Sequence, residues 1–108
     1  MTPGELQTGQ AYYRITYADP ALTIPSVKAL IYIGVNILPD DDADVVMYYF
    51  QDTVSYFARG AATDEASSVR HPEIDIQVFP CHAQDIGSSI VSLEGAIEAL
   101  QSAKTRAR

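Results

Sequence analysis

Apolar and polar residues alternate from Ala11 to Ala18. Tyr13, Ile15 and Tyr17 share one side, while Tyr12, Arg14 and Thr16 share the other. Successive side chains of an extended chain point to opposite faces, so this segment predicts a half-buried strand. Asp19-Pro20 ends it, and Pro25 closes the loop that follows. Ser26 to Leu38 is the most apolar stretch and has Lys28 as its sole charge. It predicts a central strand covered on both faces. Gly34 within it marks a bulge or a close backbone approach.

Val45 to Phe50 reads as a third strand, apolar on both sides. Gln51-Asp52-Thr53 then makes a tight turn, and Val54 to Arg59 returns as a fourth strand that Gly60 ends. The turn lacks an Asn-Gly signal, so one long bulged strand is the competing reading. Ala61 to Pro72 is a polar loop with room for one helical turn near Thr63 to Ser68. From Glu73 to Phe79 the alternation returns, with Ile74, Ile76 and Val78 inward, and Pro80 stops this fifth strand. Cys81 to Ile90 has room for a short helix.

Ser92 is a suitable N-cap, and Glu94 sits where a helix dipole favours a carboxylate. Leu93, Ile97, Leu100 and Lys104 follow at helical spacing, and Ala96 and Ala103 widen the stripe. The leucine stripe is therefore the expected docking face, and Ile97→Asp is expected to unfold the domain.

These elements predict a mostly β, α+β fold: a small five-stranded antiparallel curled sheet with one C-terminal helix. An SH3-like barrel, its open side closed by the helix, is the first architecture; a flatter sheet with the helix across one face is the second. Residues 1–108 read as a single domain with a frayed basic tail at 105–108, so deleting that tail is expected to be nearly neutral.

Composition narrows the function classes. The net charge is −7; setting aside Lys104, Arg106 and Arg108, four basic side chains stand against fourteen acidic ones. Such a surface repels phosphate backbones, so nucleic acid is not an expected partner, while a basic protein is. The start of the chain carries no basic-then-apolar leader, and no apolar run approaches the length of a membrane span, so a cytoplasmic protein without a membrane partner is expected. Cys81 is the single cysteine and excludes an internal disulfide.

Candidate chemistry is sparse. Phosphate loops, nucleophile elbows and zincin helices are missing from the sequence. Cys81 and His82 are neighbours, but in an extended segment they face opposite ways, and a Cys nucleophile needs a base within hydrogen-bonding reach. His71 would have to reach Cys81 across space; a buried thiol beside a surface imidazole is the simpler expectation. One Cys and two His fall short of a four-ligand zinc set. The acidic run Asp40-Asp41-Asp42-Ala43-Asp44 resembles a calcium loop in charge only, because Val45 and Gln51 stand where an EF-hand requires Gly and Glu. No catalytic residue, metal or cofactor is assigned.

The positive signal is tyrosine: seven Tyr, three Phe and no Trp, with every Tyr on an expected strand. Two strands apolar on both faces with one helix to cover them would leave an apolar patch. The expected function is a non-enzymatic protein-interaction module (an inhibitor, immunity-type protein or adaptor), with Tyr12, Leu30, Tyr32, Tyr48, Phe50 and Tyr56 as candidate contacts. The alternatives are a small-molecule-binding domain or minor enzyme, with a Tyr-lined pocket anchored by Arg14, Asp52 and Arg59, and a homo-oligomeric structural protein, such as a homodimer.

Overall fold

The computed structural model describes residues 1–39, 41–42 and 44–107. Among them, strands β1 (Ala11–Tyr17), β2 (Pro25–Val35), β3 (Met47–Asp52), β4 (Val78–His82) and β5 (Ile90–Val91) form one antiparallel sheet in the order β4-β3-β2-β1-β5. Helix α1 spans Thr53–Arg59 and helix α2 spans Leu93–Arg106.

The five-stranded antiparallel sheet and the C-terminal helix are as expected, but the sheet is open: β4 and β5 are its edges and are not paired with each other. It is nonetheless curled. Arg14 on β1 and Cys81 on β4 are three strand positions apart, roughly 14 Å in a flat sheet. Their side chains approach to 3.5 Å between Nη2 and Sγ. Gly34 supplies a register shift between Tyr32 and Gly34 opposite β3. It sits at φ +143, and a Cβ there would lie 2.8 Å from Ile37 Cγ2, so glycine is required.

Tyr12, Leu30, Tyr32, Phe50, Cys81, Ile86 and Ile90 form the core cluster, and Met1 and Leu6 pack against it from the N-terminal segment. Alternation puts Ile15, Ile31, Ile33, Tyr49 and Gln51 on the other side of the sheet, and these are also buried. The helices cover that side. Gln51 donates to Ser55 of α1, and α2 runs beside Ile15, Tyr17 and Val91.

Residues 53–59 are a helix, where a fourth strand was expected. β-branched Thr53 and Val54 and aromatic Tyr56 and Phe57 favour extended chain locally. Capping and tertiary contact decide otherwise. Asp52 accepts from Ser55 N at 2.9 Å as N-cap, and Gly60 (φ +88) ends the helix by donating to Tyr56 O. This second helix shields the sheet face that a single helix would have left bare.

Two further boundaries moved. Ile74 and Ile76 lie outside any strand, and β4 begins at Val78. Pro80 lies within β4 opposite Tyr49 and does not stop it; an edge strand needs no N–H there. The fifth strand is Ile90–Val91, reached through a 3₁₀ turn at Ala83–Asp85. A second 3₁₀ turn, Glu65–Ser68, falls where one helical turn was expected.

Candidate functional site

The aromatic residues expected at a contact surface are mainly core. Leu30 and Phe50 are fully buried, and Tyr12 and Tyr32 nearly so. Tyr12 meets Phe50 edge-on at 6.2 Å between ring centres, and Tyr32 lies 5.4 Å from the same ring. Tyr12 Oη also accepts from Gln7 N at 2.9 Å, which gives its polar end a partner. Tyr48 is half-buried against Tyr32, and Tyr56 is half-buried on α1. Within this monomer the sheet tyrosines therefore pack the interior, and the β propensity of Tyr accounts for their placement.

Exposed apolar side chains lie instead on the outer faces of the helices and on the loops and strand ends. On the helices, Phe57 (78%) and Val54 (66%) of α1 and Leu93 (58%), Ile97 (46%) and Leu100 (45%) of α2 are exposed; off the helices so are Val69 (77%), Ile24 (57%), Leu38 (50%), Val46 (47%) and Val35 (46%). The expected leucine stripe is thus not the face on which α2 docks. Ala96 and Ala103 are the buried positions of α2, and a Cβ on Gly95 would fall 2.8 Å from Val91 Cβ. Small residues let the helix approach the sheet closely, and that approach turns the larger side chains outward. Nothing in the register of the stripe alone distinguishes these faces, because Ala96 and Ala103 adjoin Leu93, Ile97 and Leu100 on the helix wheel.

Arg14, Asp52 and Arg59 do not assemble into one pocket. Arg14 lies over the Phe79 ring, with Cζ 5.2 Å from its centre. Arg59 donates to Ser67 O at 2.9 Å and to Ile74 O at 2.6 Å, tying the 61–77 segment to α1. Asp52 accepts from Gln77 N at 3.0 Å as well as from Ser55 N and Ser55 Oγ. Burial works to raise its carboxyl, but these hydrogen bonds outweigh it and hold the group below its ordinary range. Each anchor has a structural partner.

Gln51, expected in a tight turn, is instead a residue of β3. It is fully buried, donates to Ser55 Oγ (3.0 Å) and Gly60 O (3.1 Å), and accepts from Ala62 N (2.8 Å). The signal that could have located it is a polar residue at an inward strand position followed by an Asp-Thr-Val-Ser cap.

Cys81 is buried while His82 is exposed on the other face of β4, as the alternation predicted. Burial pushes the Cys81 thiol up, outweighing the guanidinium of Arg14. His71 stands 3.2 Å from Glu73 on an exposed turn. In the acidic run, Asp40 and Ala43 lie outside the described residues. Asp41 accepts from Tyr49 Oη (2.6 Å) and Leu38 N (2.9 Å), and Asp42 accepts from Asp44 N (2.9 Å). Among the described residues, no group of three or more His, Cys, Asp or Glu is placed to hold a metal ion, and no helix is long and apolar enough to cross a membrane.

An open groove of about 780 Å³ runs between α2 and the β1/β5 edge. Ile15, Tyr17 and Val91 contribute its apolar lining, and Asp85, Glu94 and Glu98 its acidic side chains. It contains none of Arg14, Asp52 or Arg59. Comparisons with protein families, with characterised proteins and with solved structures found no match for the chain.

Proposed function

We propose that this protein is a non-enzymatic protein-interaction module that meets its partner through its helical layer. The observation that carries this reading is the outward placement of Val54, Phe57, Leu93, Ile97 and Leu100. Scattered single apolar residues on a surface are ordinary; runs of them on helix faces mark contact sites. The net charge of −7 on the whole chain favours a basic partner and speeds the encounter. An inhibitor, an immunity-type protein and an adaptor all work in this way.

The test is affinity capture from an extract of the native cell, comparing the unaltered protein with Phe57→Ser and with Leu93→Ser/Ile97→Ser/Leu100→Ser. Capture of a defined partner that either variant loses, while keeping its melting temperature, supports the reading. Equal capture by all three proteins contradicts it.

A second reading, a small-molecule-binding domain, is favoured by the groove beside Tyr17, whose volume lies in the usual range of ligand sites. Its three carboxylates outnumber the one guanidinium beside them, Arg106, and suit a cationic ligand. A ligand bound only by the native state raises the melting temperature with concentration, so a flat response to polyamines and basic amino acids would count against it.

A further inference from the structure

We propose that the exposed stripe of α2 is the seam of a two-fold homodimer in which two α2 helices pack antiparallel. This rests on the recognition reading above and names the occupant of one of its surfaces, a second copy of this chain.

The argument begins with spacing. Leu93, Ile97 and Leu100 recur at intervals of four and three, and Lys104 continues the same line four residues on. That is the narrow apolar seam by which one helix packs against another. In this monomer all three apolar side chains keep about half of their surface or more in contact with water. The helix is held to its own sheet through Ala96 and Ala103, so the stripe is free for a second helix without any rearrangement.

Charge then selects the orientation. The acidic residues of α2, Glu94 and Glu98, lie in its first half; its basic residues, Lys104 and Arg106, lie in its last turn. A parallel pair would set carboxylate against carboxylate and ammonium against ammonium. An antiparallel pair centred between Ile97 and Leu100 sets Ile97 of one copy on Leu100 of the other. The same alignment brings Lys104 of each copy to Leu93 and Glu94 of its mate. The lysine stem covers Leu93 while its ammonium reaches the carboxylate. Two-fold symmetry makes every such contact twice and closes the assembly at two copies.

Size sets the strength. Standard interfaces bury about 800 Å² per partner, more than one helix stripe supplies. Arg106, whose Nη1 donates to Leu22 O at 3.0 Å, lines the groove on the side of α2 away from the stripe, so the 19–24 loop does not enlarge the seam. The dimer is accordingly a weak one that fills as concentration rises.

Light scattering behind a sizing column, run as a concentration series, is the test. The expected mass rises from 11.8 kDa toward twice that value. Ile97→Asp is expected to weaken association by at least about tenfold, because it places an unpaired charge in the seam, while leaving the monomer folded. A charge exchange makes the orientation falsifiable. E94K and K104E are each expected to stay monomeric alone, since one gathers lysines at both ends of the seam and the other gathers glutamates. An equimolar mixture of the two is expected to dimerise again. Unaltered protein that remains monomeric to about 1 mM would overturn the proposal, as would a dimer indifferent to Ile97→Asp. E94K or K104E alone dimerising as the parent does would overturn the antiparallel arrangement, since a parallel pair sets like charges together before and after either change. Loss of partner capture by the stripe variant from a protein that is monomeric throughout would leave the interaction reading standing and remove self-association alone.

Discussion

The concave face of the sheet and the outer face of α2 treat large apolar side chains in opposite ways. On the sheet, Leu30 and Phe50 are sealed completely and the rings of Tyr12 and Tyr32 pack edge-on and tilted against Phe50. On α2 the buried side chains are two alanines, and the three large ones stand outside. Burying a Leu or Ile fully contributes about 1.5–3 kcal/mol, so leaving three of them half exposed forgoes much of that stabilisation in the monomer. A core can be filled by bulk or closed by proximity. The curled sheet uses bulk. The helix uses proximity, and its apolar surplus becomes surface available for association.

The comparison can be broken most forcefully in the sheet. Phe50→Ala is expected to cost about 3–5 kcal/mol, since it opens a cavity under Tyr12 and Tyr32; urea unfolding would measure it. Gln51→Leu comes next. It removes the partners of Gly60 O and Ala62 N at once; both groups are half-buried, so each loss is expected to cost about 1 kcal/mol, the low end for an orphaned group. A stability equal to the parent would mean that the link between α1 and the sheet is ornamental.

Asp52→Ala is smaller, about 1 kcal/mol for loss of the N-cap. Its signature is in pH. The folded carboxyl titrates below the ordinary value of 3.8, so its contribution is complete above that value and disappears as pH falls through the folded value. The stability gap between the parent and Asp52→Asn is therefore expected to narrow in acid. A gap that persisted unchanged to the lowest pH at which the protein stays folded would contradict the hydrogen bonding described for Asp52. No larger is Ile97→Asp, expected to cost about 1 kcal/mol when measured as monomer, because only about half of its side chain is shielded from water.

Much of the sheet was legible in the residues. Period-two alternation located β1, the charge-poor run located β2, and Gly34 announced its bulge. Ser92 announced the start of α2, where it accepts from Gly95 N. The helix runs through Arg106, where fraying from residue 105 was expected, and Arg106 reaches back to Leu22 O; Arg108 lies outside the described residues. Two features resisted. Residues 53–59 have the composition of a strand, and their helix depends on a cap and on Gln51, contacts that no short window of sequence contains. The docking face of α2 resisted for a different reason. Periodicity identifies residues that share a face, but the choice between a leucine face and an adjoining alanine face is made by how closely the sheet can approach. Of the candidate contact residues, Tyr12, Leu30, Tyr32 and Phe50 are interior because their face of the sheet closes on Cys81, Ile86 and Ile90 and takes Met1 and Leu6 from the N-terminal segment, long-range packing that no alternation pattern displays.

The paired stabilities of Ala103→Asp and Ile97→Asp, read by urea unfolding at about 1 µM to keep the protein monomeric, test this placement most directly. Docking through the alanines requires Ala103→Asp to lose several kcal/mol or fail to fold, and Ile97→Asp to lose no more than about 1 kcal/mol. The reverse order, with Ile97→Asp unfolding and Ala103→Asp tolerated, would contradict the account.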